Sequence, residues 1–87
     1  MNKTQNQKPR PLFEIAEEIE NDWQGQGKVH ARPYIKAMTW LQTMDDHYFH
    51  DSAEEIVLRF LANAQTWRGE TARRIKAELK AMLSKRK

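Results

Sequence analysis

An all-α fold, a compact four-helix domain behind a disordered N-terminal tail, is what this sequence predicts. Three observations carry the prediction. Apolar residues recur at helical spacing in four segments. Prolines and glycines fall between or at the edges of those segments rather than inside them. No run alternates apolar and polar residues in the manner of a strand. At 87 residues the chain has room for one domain. A domain so short buries roughly 60–65% of the surface its unfolded chain exposes. That leaves one layer of helix packing and little room for a deep pocket of the order of several hundred Å³.

Residues 1–10 are polar, lack apolar periodicity and read as the tail, expected to be dispensable for folding. Residues 11–87 read as the single helical domain. Leu12, Ile15, Ala16, Ile19 and Trp23 make the apolar stripe of the first helix, with acids on its other face. Pro11 suits its start, where a missing N–H costs nothing, and Gly25 and Gly27 end it. The second helix opens near Pro33. Tyr34, Met38 and Leu41 form its stripe, Ala37 and Met44 lie beside it, and Trp40 falls off its centre as a partly exposed aromatic. The run DDHYFHD, Asp45 to Asp51, has no helical period and reads as a loop with at least one of Tyr48 and Phe49 turned inward. Ser52 with Glu55 is the pattern of a capping box and opens the third helix. Ala53, Ile56, Val57, Leu58, Phe60, Leu61 and Ala64 then cover a wide arc, which makes this the central helix with Phe60 as its hub. After a break over 66–69, Ala72, Ile75, Leu79, Met82 and Leu83 mark the fourth helix. Its basic end, Lys85 to Lys87, suits the negative end of the helix dipole.

Charge is unevenly placed. Fifteen Lys and Arg stand against 12 Asp and Glu. Between Leu12 and Gln24 every charge is negative: Glu14, Glu17, Glu18, Glu20 and Asp22. From Arg68 to Lys87 only Glu70 and Glu78 interrupt the cations. Either the asymmetry serves a charged partner, or the two ends pack side by side and neutralise each other. The chain has no cysteine, which excludes disulfides, thiolate chemistry and the common structural zinc sites, and suits a reducing compartment. No apolar run approaches the roughly 20 residues of a membrane span, and no secretory signal pattern is visible. A cytoplasmic protein that does not engage membranes is the expectation.

The strongest candidate site is the basic flank of the fourth helix. Arg73, Lys76, Lys80 and Lys87 fall within about 60° of one another at 100° per residue, and Arg68 and Arg74 extend the row. Cations at this spacing can track phosphates along a groove. The competing reading is a solvated face whose long stems cover apolar surface. Helices three and four also have the outline of a helix-turn-helix around Gly69. The detailed pattern fits badly: Gln65 stands where a small residue is wanted, Arg68 and Glu70 where apolar residues are, and Glu70 and Thr71 are only fair groups for reading base edges. His47 and His50, with Asp45, Asp46 and Asp51, include proper metal ligands, but a polar loop explains them more simply. Ser52 reads as a cap and Ser84 lies near the end. Glu17, Glu18 and Glu20 are solvated, and the glycines form no phosphate loop. No catalytic residue, metal or cofactor is therefore expected. Trp23 and Trp67 belong to the core. Trp40 is the candidate protein-binding anchor, set against partial burial beneath Tyr48.

The segments ARPYIKAM (31–38), DSAEEIVLRFLANA (51–64) and TWRGETARRIKAELKAML (66–83) resemble those of small, mostly uncharacterised helical proteins of bacteriophages, prophages and other mobile elements. The likeness covers Leu12 to Leu83. Its signature is the acidic IAEEIENDW stretch, the ARPY entry to helix two and the NAQTWRGE turn. It implies a mobile-element setting and no defined activity, so it carries no catalytic residue over. Small phage proteins often bind nucleic acid or block a host machine, and blockers of the second sort are often acidic, from which this net positive chain departs. The expected function is non-enzymatic macromolecule binding, with nucleic acid held through its phosphate backbone on Arg68, Arg73, Lys76, Lys80 and Lys87. The alternative is a protein-binding module, an inhibitor or modulator of a host enzyme or defence complex, acting through Trp40.

Overall fold

The computed structural model describes residues 9–85. Most of the expected tail, together with Lys87, lies outside that range. In chain order the elements are α1 (Leu12–Asp22), a short 3-10 helix (Gln26–His30), α2 (Arg32–Met38), strands β1 (His47–Tyr48) and β2 (Asp51–Ser52), α3 (Ala53–Ala62) and α4 (Glu70–Ser84). The expected domain of four helices is present, and a two-stranded hairpin is added to it.

Local chemistry sets each boundary. Pro11 is the N-cap of α1, and its carbonyl accepts from the N–H groups of Glu14 and Ile15 at 3.0 and 3.2 Å. The N–H groups of Leu12 and Phe13, orphans of a helix start, donate to the carbonyls of Gln42 and Leu41 at 3.0 and 2.9 Å. These bonds hold the chain after α2 against the start of α1. At the other end Lys28 bonds Glu20 at 2.9 Å. The two helices therefore run antiparallel. α2 stops at Met38 rather than carrying on through Leu41 and Met44, although both are buried. Side chains take over the backbone there. The Thr39 hydroxyl donates to the Lys36 carbonyl at 2.6 Å, and the Asp46 carboxylate accepts from the N–H groups of Gln42 and Thr43 at 2.8 and 3.0 Å.

The reading of Asp45–Asp51 as a plain loop is corrected. His47 pairs with Ser52 and Tyr48 with Asp51, antiparallel, around a turn in which Phe49 has φ 58°. Two-residue strands are too short to show alternation, so no periodic signal announced them. Tyr48 is the half-buried ring and Phe49 the exposed one. At the start of α3 the Ser52 hydroxyl accepts from the Glu55 N–H at 3.1 Å, but the Glu55 carboxylate is taken by Arg59 at 2.5 Å. Only half of the expected capping box is formed. Leu58, expected in the core arc, is 52% exposed. The buried face of α3 is the narrower set Ala53, Ile56, Val57 and Phe60. α4 is entered through Gly69 at φ 112°, ψ 179°, backbone that is essentially restricted to glycine.

α3 packs on both α2 and α4, and α1 does the same, so the four helices close around one core. Its centre is aromatic. Trp23 and Trp67 stack with ring centroids 5.5 Å apart and planes 13° apart. The fully buried Phe60 meets both edge-on, at 6.4 and 6.1 Å. The Trp67 indole N–H donates to the Asp22 carboxylate at 2.9 Å, which satisfies its polar end. The 3-10 helix closes over this cluster. A Cβ on Gly27 would stand 2.6 Å from the Thr66 hydroxyl, so only glycine allows that approach.

Candidate nucleic-acid interface

The two flanks of α4 have opposite fates. Arg74 and Glu78 face α1. The Arg10 guanidinium makes a bidentate bond to Glu78 at 2.9 and 2.8 Å and also reaches Glu18 at 3.0 Å and Glu14 at 3.8 Å. Arg74 donates to the other oxygen of Glu18. The acidic helix and the basic helix thus neutralise each other along one seam. Arg74 belongs to that seam and not to the basic row it was expected to extend. Arg10, assigned to the tail from sequence, is the clasp of this seam. The guanidinium of Arg74 first, and then that of Arg10, holds the Glu18 carboxyl below the usual carboxylate range.

The other flank is not neutralised. Arg73 and Lys80 are exposed, and Lys76 is half-buried beside them. Lys76 lies along Trp67: its ammonium donates to the Trp67 carbonyl at 2.8 Å and sits 6.0 Å from the ring centroid. Burial pushes the Lys76 pKa down, and the positive charges of Lys80 and Arg68 push it further in the same direction. Arg68, from the connection before α4, and Lys80 are thereby each within electrostatic reach of Lys76. Among the described residues, Arg68, Arg73, Lys76 and Lys80 form no ion pair with a carboxylate, whereas Arg10, Lys28, Arg59 and Arg74 all do. Four of the five residues of the predicted basic row therefore stand together without counterions, and Lys87 lies outside the described residues.

The remaining candidates separate cleanly. Residues 63–69 join α3 to α4, a longer connection than the three- or four-residue turn of a helix-turn-helix. Asp46 is committed to its turn, and the backbone N–H groups of Thr43 and Gln42 hold its carboxyl below the ordinary range. Among the described residues no group of three or more His, Asp and Glu is placed to hold a metal, and no helix is long and apolar enough to cross a membrane. An open groove of about 690 Å³ runs between Pro9 to Pro11, the 42–45 turn and the end of α4 at Met82 and Lys85. The groove is open and not enclosed, so it is not the deep pocket for which so short a chain was expected to have little room. Trp40 is 73% exposed and does not lie beneath Tyr48.

One arrangement was missed from sequence. Arg32 and Lys36 on the exposed side of α2 and Trp40 in the turn just beyond it follow each other at four-residue spacing, and neither cation has an ion-pair partner among the described residues. The four-residue spacing is written in the sequence, but it lies off the apolar stripe that marks this segment as a helix. Set beside protein-family models, curated proteins and solved structures, the chain matches none of them.

Proposed function

We propose that this chain is a non-enzymatic nucleic-acid-binding protein of a phage or other mobile element that holds a phosphate backbone against the flank of α4. One observation carries the reading. Arg68, Arg73, Lys76 and Lys80 have no carboxylate partner among the described residues, and Lys76 among them is held against Trp67 with its pKa lowered first by burial and then by the charges of Lys80 and Arg68. The same helix has carboxylate partners on its other flank, so the lack of compensation is confined to one face. A row of phosphates would relieve both the mutual repulsion and the missing counter-charge. Contacts of this kind position a duplex or a strand without reading its bases, so affinity without marked sequence preference follows. The mobile-element setting rests on the resemblance of the helical segments.

The test is the double substitution Arg73→Ala with Lys80→Ala. Both residues lie off the apolar stripe of α4 and are exposed, so far-ultraviolet circular dichroism should be unchanged. Binding to a short DNA duplex at low salt should weaken by at least about tenfold, as expected for two lost phosphate contacts. Undiminished binding, or no binding by the parent chain, overturns the proposal. The second reading, a protein-binding module that modulates a host enzyme or defence complex, is favoured by the exposure of Trp40. A stoichiometric protein partner that survives nuclease treatment and is lost with Trp40→Ala would select it.

A further inference from the structure

We infer that the outer side of α2 is a second contact surface, specific for single-stranded nucleic acid, on which Arg32 and Lys36 hold phosphates and Trp40 stacks an unpaired base. The inference rests on the reading that the chain binds nucleic acid, and adds to it the strandedness of the ligand and the residue that senses it.

The geometry begins with helical spacing. Arg32 and Lys36 stand at i and i+4 on α2, Trp40 follows in the turn just beyond the end of the helix at Met38, and all three are exposed. At 1.5 Å rise per residue the two cations are about 6 Å apart along the helix axis, and the turn carries the row on to Trp40, a reach of about two to three nucleotides at roughly 3.4 Å each along a stacked strand. The Trp40 backbone is well anchored: its main-chain N–H donates to the Ala37 carbonyl at 3.0 Å, and its neighbour Leu41 is buried. The ring it carries has most of its surface in water, at 73% exposure. Phe13, also exposed, is drawn to the same end of the helix because its N–H bonds the Leu41 carbonyl at 2.9 Å.

The order of groups decides the partner. Two cations followed by an aromatic face match a chain that has an anion in every unit and a flat π-surface beside it. An acidic peptide would satisfy Arg32 and Lys36 but has a ring to lay on Trp40 only where its own sequence supplies one. A duplex offers phosphates but keeps the faces of its bases inside the stack. An unpaired strand supplies both the anion and the ring in every repeating unit, and so uses all three side chains in any register. Because α1 and α3 each pack on both α2 and α4, the latter two occupy opposite corners of the bundle. The α2 row and the α4 flank are therefore separable by mutation.

Fluorescence gives a direct readout, since Trp23 and Trp67 are buried and Trp40 alone among the tryptophans is exposed. The full chain is titrated at low salt with a short oligothymidylate, with an abasic oligomer of the same length, with a duplex and with polyglutamate. The oligothymidylate should quench the exposed tryptophan, and the other three should not. Trp40→Ala should bind the oligothymidylate roughly 5- to 150-fold more weakly, as for the loss of one base stack, with duplex binding unchanged. Trp40→Phe should recover part of the loss. Arg32→Ala with Lys36→Ala should weaken the oligothymidylate and leave the duplex alone. Equal affinity for the abasic and base-bearing oligomers, with no effect of Trp40→Ala, overturns this inference while leaving the α4 reading intact. Quenching by polyglutamate as strong as by the oligothymidylate overturns it in favour of an acidic protein partner. Absence of binding to any of the nucleic acids removes both readings together.

Discussion

Phe60 is the residue on which the fold turns. It is fully buried and meets both core tryptophans edge-on, so its removal would open a cavity between α1, α3 and the connection to α4. Replacing a buried Phe by Ala costs about 3–5 kcal/mol, against a total of about 4–10 kcal/mol for a domain of this size. Phe60→Ala should therefore leave the protein largely molten at 37 °C, measured as loss of near-ultraviolet dichroism from the stacked Trp23–Trp67 pair. A sharp, nearly unshifted thermal transition would show that the cluster is not the hub. Lys76 joins this core to the proposed site. Its ammonium is held against Trp67, so the basic flank is anchored on the aromatic cluster and does not consist only of freely moving surface side chains.

At the scale of elements, the α1–α4 seam combines charge with packing. Arg10 ties Glu78 of α4 to Glu18 of α1, and Arg74 reinforces it. A bidentate pair that is about a quarter to a third exposed contributes on the order of 1 kcal/mol. Arg10→Ala should lower the melting temperature by about 4–8 °C for each kcal/mol lost. The sign of the pH dependence follows from Glu18, whose folded pKa lies below its ordinary 4.5. The stabilisation is fully present above that ordinary value and is lost as pH falls through the lowered one. The difference between parent and Arg10→Ala should therefore shrink below about pH 4 and in high salt. A difference that persists at acid pH would assign Arg10 a packing role instead. This seam also shows where sequence reading succeeds and stops. Helical periodicity placed all four helices and the buried tryptophans, because each apolar stripe is written within one segment. It could not pair Arg10 with Glu78, 68 residues apart, nor foresee the hairpin, whose strands are shorter than any period. Leu58 was misplaced because counting apolar residues overstates an arc when one of them is left facing water. The basic row was legible as a spacing on α4, but which of its cations would lose their charge to α1 depended on the packing. The Arg32, Lys36 and Trp40 spacing carries no periodic apolar signal, and only the exposure of all three side chains in the fold sets it apart.

For the whole molecule, the charge polarity of the chain is half cancelled by folding. The acids of α1 meet Arg10 and Arg74, while Arg68, Arg73, Lys76 and Lys80 are left without carboxylate partners on the other side. This division leaves the unpaired positive charge of α4 directed to one side, and directed charge steers polyanions and responds steeply to salt. The most direct test is the affinity of the full chain for a short duplex measured over a series of salt concentrations. With three to five phosphates neutralised, log K should fall against log salt with a slope of about −3 to −5. In Arg73→Ala with Lys80→Ala the slope should become shallower by about two, one for each phosphate contact removed. A parent chain that does not bind at low salt, or whose binding is indifferent to salt, would contradict the account.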